Sequence, residues 1–130
     1  MKFLQPPDWP RPKGYANGVA AKGSLVFLSG MVGWNAQREF AAKDFVGQVR
    51  QALQNIVEVL NQAKAKPEHI VRMTWYVIDK SEYMAATKEL GVAYREIIGS
   101  HYPAMTVVEV SGLLEDKACV EIEVTAVTPD

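Results

Sequence analysis

Hydrophobic and polar residues alternate most clearly near the end of the chain, where residues 119–127 read C-V-E-I-E-V-T-A-V. Successive side chains of a β-strand point to opposite faces, so this segment predicts a strand with one apolar face and one face that carries Glu121 and Glu123. The apolar face consists of Val120, Ile122, Val124 and Ala126. We expect that face to contact the core, which leaves open what the two carboxylates contact.

Other segments are rich in β-branched and aromatic residues, which is typical of strands. Residues 24–31 follow a Lys-Gly step that indicates a turn, so we predict a hairpin between them and residues 15–21. Residues 69–79 and 104–110 predict two further strands. The L-V-F-L sequence within the hairpin is apolar on both faces, and a strand of this kind needs cover on both sides.

Hydrophobic residues recur at helical spacing in two segments, which predicts two amphipathic helices. The first begins after Asp44, a residue type that caps helix N-termini, and extends to about Ala65. Ser81 is expected to cap the second helix, which ends before Gly99, where a left-handed C-terminal residue is expected. Their apolar stripes consist of Val49, Ala52, Leu53, Ile56, Val57 and Leu60 in the first helix and Tyr83, Ala86, Leu90, Ala93, Tyr94 and Ile97 in the second.

The predicted order of elements is β-β-α-β-α-β-β, an α+β class. Because each helix has one apolar stripe, both helices are expected on a single face of one mixed sheet. The other face would carry Glu121, Glu123, Phe27 or its neighbour, and Met105. This surface is too apolar to remain in water and too charged to bury without partners. We therefore expect a ring of subunits whose sheets face one another, with the carboxylates at or near the seams.

Composition narrows the class of protein. The chain has 130 residues, of which 48% are hydrophobic and 22% charged, so we expect a single globular domain over residues 1–130. The net charge of −1, with scattered Lys and Arg, argues against a nucleic-acid partner. Neither a secretory signal nor an apolar run of about 18 residues is evident, so we expect a cytoplasmic protein without a membrane partner.

The chemistry of the side chains excludes several kinds of site. Cys119 is the single cysteine, so no intrachain disulfide or thiolate cluster is possible. The two histidines are far apart in the sequence and lack cysteine or H-x-x-x-H partners, so we predict no metal site and no cofactor. A small-molecule metabolite and further copies of the chain are the expected partners.

Several short motifs occur in an informative order and spacing. They are Gly14-Tyr15 with Asn17-Gly18-Val19, L-V-F-L-S-G at 25–30, T-W-Y-V-I-D in the third strand, Y-P-A at 102–104 followed by V-E-V at 108–110, and V-E-I-E at 120–123. In these motifs the chain resembles the RidA family, also called YjgF/YER057c/UK114. The resemblance implies a chorismate-mutase-like fold, a homotrimer whose sheets form a central barrel, and hydrolysis of reactive enamines and imines.

The same resemblance implies a pocket between two subunits. Its residues fall on Tyr15, Gly30, Met105 and Glu121, with the backbone N–H of Val107 as an anion donor. Glu121 would deprotonate a water molecule that attacks the C=N bond, or else hold donors across the subunit seam, and Tyr15 would offer its hydroxyl or simply pack at the interface. For Glu123 the structural role is favoured.

Met105 is the departure from the family pattern, because the family has an arginine there that binds the carboxylate of an imino acid. A thioether cannot replace a guanidinium, and loss of a charged hydrogen bond costs about 1.5–3 kcal/mol, or about ten- to a hundredfold in affinity. We therefore do not expect small imino acids to be substrates. Arg38 or His101 could supply another cation, or be solvated surface side chains; Trp34 could form a pocket wall or pack at the surface or an interface.

Three functions remain open at this point. The first is hydrolytic deamination of an enamine or imine that is more neutral or more aromatic than the simple imino acids, with Glu121 and Tyr15 as catalytic residues. The second is a non-catalytic trimer that binds a small molecule at its seams. The third, an endoribonuclease or translation inhibitor, has the least support, because the sequence shows neither a basic stripe nor paired histidines.

Overall fold

The computed structural model describes residues 1–130. Its elements are β1 (Lys2–Leu4), β2 (Gly18–Ala20), β3 (Ser24–Phe27), β4 (Met31–Val32), α1 (Phe45–Gln62), a 3₁₀-helix (Pro67–His69), β5 (Ile70–Val77), α2 (Lys80–Ala85), α3 (Thr87–Ile97), β6 (Ala104–Glu109) and β7 (Val120–Thr128). No helix combines the length and the apolar character that crossing a membrane requires.

Strand β7 lies inside a five-stranded mixed sheet with the order β3-β7-β5-β6, in which the fifth strand, β4, also pairs with β7. It runs antiparallel to β3 and β4 on one side and to β5 on the other, while β5 and β6 are parallel. A parallel pair needs a crossover, and here the chain between β5 and β6 forms α2 and α3. The sheet and its helices therefore form the predicted α+β arrangement.

The alternation predicted for β7 is confirmed. Val120, Ile122, Val124 and Ala126 are buried in a core with the apolar stripe of α1. Glu123, on the other face, is exposed, and Glu121 is partly exposed. The core thus lies on the helix side of the sheet, and the face without helices, here called the open face, carries the two carboxylates.

Helix α1 begins as its sequence predicts. The Asp44 side chain accepts a hydrogen bond from the backbone N–H of Gly47 (3.0 Å), which satisfies a donor that has no partner within the helix. The helix ends at Gln62, slightly before the predicted Ala65, because Lys64 adopts a left-handed conformation (φ 55°).

We predict that Asp44→Ala lowers the free energy of unfolding by about 1 kcal/mol, since alanine cannot cap the helix. Urea denaturation followed by circular dichroism measures this loss. The matched control is Asp8→Ala, at an exposed residue outside the helices, which should change stability little. Equal effects of the two substitutions would show that the cap contributes nothing.

The second predicted helix is two helices, α2 and α3, separated at Ala86. Its N-cap is Asp79, whose side chain accepts a hydrogen bond from the backbone N–H of Ser81 (2.9 Å), so the prediction that Ser81 caps the helix is wrong. A carboxylate two residues earlier reaches the free N–H groups and displaces serine from that role. Gly99 has the predicted positive φ (97°).

The predicted hairpin between residues 15–21 and 24–31 is also wrong. Strand β2 pairs with β1, and β3 pairs with the end of β7. A Cβ atom at Gly23 would overlap the carbonyl oxygen of Thr128, so the Lys-Gly step lies against β7 instead of forming a tight turn. The N-terminal segment and β7 offer hydrogen-bond partners that local sequence patterns do not reveal.

Met105 does not lie on the open face, contrary to the prediction. In the parallel ladder it is opposite Met73, a fully buried core residue, so its side chain is on the helix side of the sheet. Thr106 and Val108, which alternate with Met105 and Val107, are exposed, as is Glu109 at the end of β6. The open face instead carries Leu25 and Phe27 on β3, which are 63% and 73% exposed.

Candidate functional site

A cavity of about 310 Å³ lies between the edge strand β6 and helices α2 and α3. Five of its twelve lining residues are aromatic, namely Tyr15, Trp75, Tyr83, Tyr94 and Tyr102. Met105 and Val107 line it from β6, because the alternation of that strand directs both side chains to the helix side. Its size and its apolar lining are those of a site for a small organic molecule.

One wall of the cavity is held by aromatic stacking and a hydrogen bond. The rings of Tyr94 and Tyr102 are stacked with centroids 5.3 Å apart and planes 13° from parallel. The Tyr94 hydroxyl donates a hydrogen bond to the carbonyl oxygen of His101 (2.6 Å). Burial strongly raises the pKa of Tyr94, so its hydroxyl stays protonated and acts as a donor.

Another wall consists of Trp75 and Tyr83, whose rings meet edge to face at 5.8 Å and 86°. Burial raises the pKa of Tyr83, which therefore remains neutral. Trp75 is 3% exposed, and its Nε1 has no hydrogen-bond partner.

Lys13 is a cavity residue that the sequence reasoning missed. The sequence feature that could have indicated Lys13 is its position directly before Gly14 and Tyr15, both of which also line the cavity. Gly14 has a positive φ (79°), so the chain turns at the cavity mouth and Lys13 stays exposed there. Lys13 is the cation among the lining residues of this cavity.

The two cations considered as substitutes for the family arginine lie elsewhere in the chain. The guanidinium of Arg38 lies over the Trp34 ring, 5.5 Å from its centroid, and lines a different depression with Glu115 and Asp116. The Nε2 atom of His101 lies 2.6 Å from the carbonyl oxygen of Ile70. Within one chain, neither side chain lines the aromatic cavity.

Trp34 packs in a small separate cluster. Its ring is 5.8 Å from that of Phe40, and its carbonyl oxygen accepts a hydrogen bond from Asn55 Nδ2 (2.8 Å). Val32 and Ala118 belong to the same cluster. Of the two interpretations of Trp34, its surroundings in the chain match the packing role.

Gly30 and Glu121 lie beside each other, and neither lines the aromatic cavity. A Cβ atom at Gly30 would overlap Oε2 of Glu121. The carboxylate can therefore occupy its observed position only when residue 30 is glycine. Glu121 is paired with Val32 on one side and with Tyr76 on the other.

Glu123, the other carboxylate of β7 on the open face, has a hydrogen-bond partner within the chain. Tyr76 donates a hydrogen bond from its hydroxyl to Glu123 Oε1 (3.2 Å). Partial desolvation, followed by the charge of Glu123, raises the pKa of Tyr76. Glu123 therefore has a structural contact within the chain, whereas Glu121 accepts no hydrogen bond from another side chain.

Apart from Trp34, the residues predicted for the site thus fall into two groups on opposite sides of the sheet. Tyr15, Met105 and Val107 line the aromatic cavity on the helix side. Gly30 and Glu121 lie together toward the open face. One chain does not bring the two groups into one pocket. No three His, Cys, Asp or Glu side chains are grouped in a way that could hold a metal ion.

These features define an α+β protein with two main helices on a mixed sheet and a small-molecule cavity beside the edge strand. A family model described as Endoribonuclease L-PSP matches residues 10–128. The chain is 35% identical over 130 residues to a RutC family protein of Aquifex aeolicus, covering 98% of this chain and 99% of that protein. The chain therefore belongs to the RidA (YjgF/YER057c/UK114) family, as its motifs predicted.

Two further comparisons support this family and its fold. A protein of Salmonella typhimurium named 2-iminobutanoate/2-iminopropanoate deaminase is 30% identical over 116 residues, covering 87% of this chain and 84% of that protein. The crystal structure of a protein of unknown function of the conserved Rid protein family from Yersinia pestis has a TM-score of 0.87 at 27% identity, covering 98% of both chains.

Proposed function

We propose that this protein is a hydrolase of C=N bonds that deaminates a small enamine or imine in pockets formed between the subunits of a homotrimer. The observation that carries the proposal is the aromatic cavity beside β6, which contains Tyr15, Met105 and Val107 at positions that the family uses for substrate. Glu121 and Gly30 lie on the other side of the sheet. A neighbouring subunit completes the site by presenting its own Glu121 and Gly30 to this cavity.

The chemistry follows from the residue types. Glu121 takes a proton from water as the water oxygen attacks the carbon of the C=N bond, and a carbinolamine forms. Glu121 returns this proton to the nitrogen, which completes the neutral carbinolamine. It then takes the proton of the new hydroxyl group and delivers it to the amino nitrogen as the C–N bond breaks, which releases ammonia and a carbonyl product. The Tyr15 hydroxyl orients the water or substrate, while Gly30 and the backbone N–H of Val107 position it. An enamine first tautomerises to the imine and then follows the same path.

The lining of the cavity sets the substrate preference. Met105 presents a thioether where a carboxylate substrate requires a guanidinium, and the surrounding rings of Trp75, Tyr83 and Tyr102 favour an apolar or aromatic group. Lys13 is exposed at the mouth, where solvent screens its charge. The protein therefore prefers neutral or aromatic imines over small imino acids.

The experiment that tests this function compares two imines generated in the assay. An amine oxidase acting on benzylamine supplies a neutral aromatic imine, and an amino-acid oxidase acting on alanine supplies 2-iminopropanoate. The rate of ammonia release is measured with and without the protein. We expect a larger acceleration for the aromatic imine. Absence of acceleration for both, together with retained ligand binding, would establish the alternative of a non-catalytic small-molecule-binding trimer.

An endoribonuclease is less well supported, because the net charge of −1 offers no basic surface for RNA and each histidine has one ring nitrogen engaged by the backbone. His69 Nδ1 accepts a hydrogen bond from the backbone N–H of Lys66 (3.0 Å), and His101 Nε2 is 2.6 Å from the carbonyl oxygen of Ile70. Cleavage of RNA that persists through purification would be required to support that function.

We predict that Met105→Arg raises kcat/KM for 2-iminopropanoate about ten- to a hundredfold, since it restores a charge-assisted contact to the carboxylate. The matched control is Met84→Arg, at a methionine of α2 that is 67% exposed and does not line the cavity. An unchanged kcat/KM in Met105→Arg would show that position 105 does not face the substrate carboxylate.

A further inference from the structure

A polar groove lies next to the aromatic cavity. The groove has a volume of about 450 Å³ and shares Tyr15 and Tyr102 with the cavity. Its polar lining residues are Gln5, Arg11, Asn17, Ser100 and His101. The two spaces meet at the shared tyrosines, so a ligand in the apolar cavity has a polar groove directly beside it.

The charged residues that line the cavity and the groove are all cations. Lys13 is the charged residue of the cavity lining, and Arg11 is that of the groove. Although the chain has 15 acidic residues, none of them lines either space. The depression around Arg38, by contrast, also contains three acidic side chains. The positive potential beside the cavity is therefore not cancelled locally, and it favours an anionic group.

Neither cation is neutralised within the chain. The ion pair of the chain joins Arg50 to Glu96 and involves neither Lys13 nor Arg11. Both cationic side chains are exposed, so a ligand can reach them without displacing a protein partner. Two residues span at most about 7 Å of chain, so both long side chains can contact a single anion.

The backbone that carries the two cations is restrained. A proline on each side of Arg11 restricts the chain there. Gln5 Nε2 donates a hydrogen bond to the carbonyl oxygen of Trp9 (3.0 Å), and Asn17 Nδ2 donates one to Gln5 Oε1 (2.8 Å). These contacts join the chain before the cations to the chain after them. Both cations are therefore held beside the cavity before a ligand binds, which lowers the entropic cost of binding.

We propose that the substrate carries an anionic group, a carboxylate or a phosphate, that is remote from its reacting C=N bond. Lys13 and Arg11 bind this anion at the mouth while an apolar or aromatic end occupies the cavity. Met105 offers no countercharge inside the cavity, so an anion is favoured only at the exposed end, where it keeps part of its hydration. The inference rests on the proposed function for the reaction and deepens it by naming the substrate class.

The test uses phenylacetate, 3-phenylpropanoate, 4-phenylbutanoate and 5-phenylpentanoate as probes, each paired with the neutral amide of the same length. Nuclear magnetic resonance titration gives the Kd of each probe. We expect the acid to bind more tightly than its amide only in the longer pairs, whose anion reaches the mouth, by about two- to fivefold for each cation contacted. Probes with a terminal phosphate identify which anion is preferred.

Ionic strength provides a second measurement of the same contact. Raising it from about 0.01 M to about 1 M shortens the Debye length from about 30 Å to about 3 Å. The advantage of the acid over the amide should therefore disappear at high salt, while the Kd of the amide changes little.

Substitutions assign the advantage to the two cations. Lys13→Gln and Arg11→Gln should each weaken binding of 5-phenylpentanoate about two- to fivefold and leave the Kd of its amide unchanged. Lys43→Gln makes the same change of charge at an exposed lysine that lines neither space, and it should alter neither Kd. Equal binding of acid and amide at every length, no binding of any probe, or an acid advantage that survives in the double variant would overturn the proposal.

The two proposals can fail separately. If the acid advantage depends on Lys13 and Arg11 but no imine is hydrolysed, the ligand class stands and the enzymatic function is wrong. If the imine from benzylamine is hydrolysed but acid and amide bind equally, the enzymatic function stands and the ligand class is wrong.

Discussion

Replacement of Glu121 by glutamine is expected to lower the rate of imine hydrolysis by about a hundred- to ten-thousandfold, the usual contribution of a general base. Glutamine has nearly the same shape, so it fits beside Gly30 as the carboxylate does. An amide cannot take a proton from water at neutral pH, so the loss should appear in kcat. The measurement is ammonia release from the benzylamine-derived imine at saturating substrate.

Glu123→Gln is the matched control for this experiment. It makes the same chemical change two residues away on the same face of β7, at a carboxylate that accepts a hydrogen bond from Tyr76. Its effect on kcat should be small. If both variants lose activity equally, or if Glu121→Gln retains the rate of the unmodified protein, Glu121 is a structural residue and the proposed mechanism is wrong.

The second large effect is expected from a substitution that prevents assembly of the proposed trimer. Phe27 is 73% exposed on the open face and Leu25 is 63% exposed beside it, a pair of apolar side chains that a contact between subunits would cover. Burial of each side chain is worth about 1.5–3 kcal/mol, and every subunit of a trimer contributes both. A carboxylate at this position would be buried without a partner. We therefore expect Phe27→Asp to convert a trimer into monomers.

Sedimentation velocity at micromolar protein concentration measures this change. Leu114→Asp introduces the same charge at a leucine that is 93% exposed in the loop before β7, and it should leave the trimer intact. Because the proposed pocket includes Glu121 of a neighbouring subunit, Phe27→Asp should also abolish hydrolysis. A monomeric unmodified protein, or a Phe27→Asp variant that remains trimeric, would contradict the proposed assembly.

The parts of the fold that local physics determines were predictable from the sequence. The nine-residue alternation of β7 defined its buried face without reference to any other strand. The start of α1 directly after Asp44 was equally local, because the capping residue and the following periodic stripe lie in one short segment. The short strand β6 was harder, since A-M-T-V-V-E has no clear alternation, and Met105 was therefore assigned to the wrong face.

The cavity could not be predicted from local patterns, because it forms where separate elements meet. Trp75 belongs to a strand whose composition indicated only burial, and the break between α2 and α3 near Tyr83 has no strong sequence signal. Lys13 is next to a motif residue, but its position at the mouth depends on how the N-terminal segment crosses β6, where Ala16 bridges to Ala104. Such placements arise from long-range pairing and appear only in the folded chain.

The contact between Gly30 and Glu121 has an evolutionary consequence. Any side chain at position 30 would occupy the space of the Glu121 carboxylate. Gly30→Ala therefore displaces this carboxylate although Glu121 itself is unchanged. The dependence runs in one direction, since position 30 must stay glycine while Glu121 keeps its place, whereas a shorter side chain at position 121 leaves Gly30 unaffected.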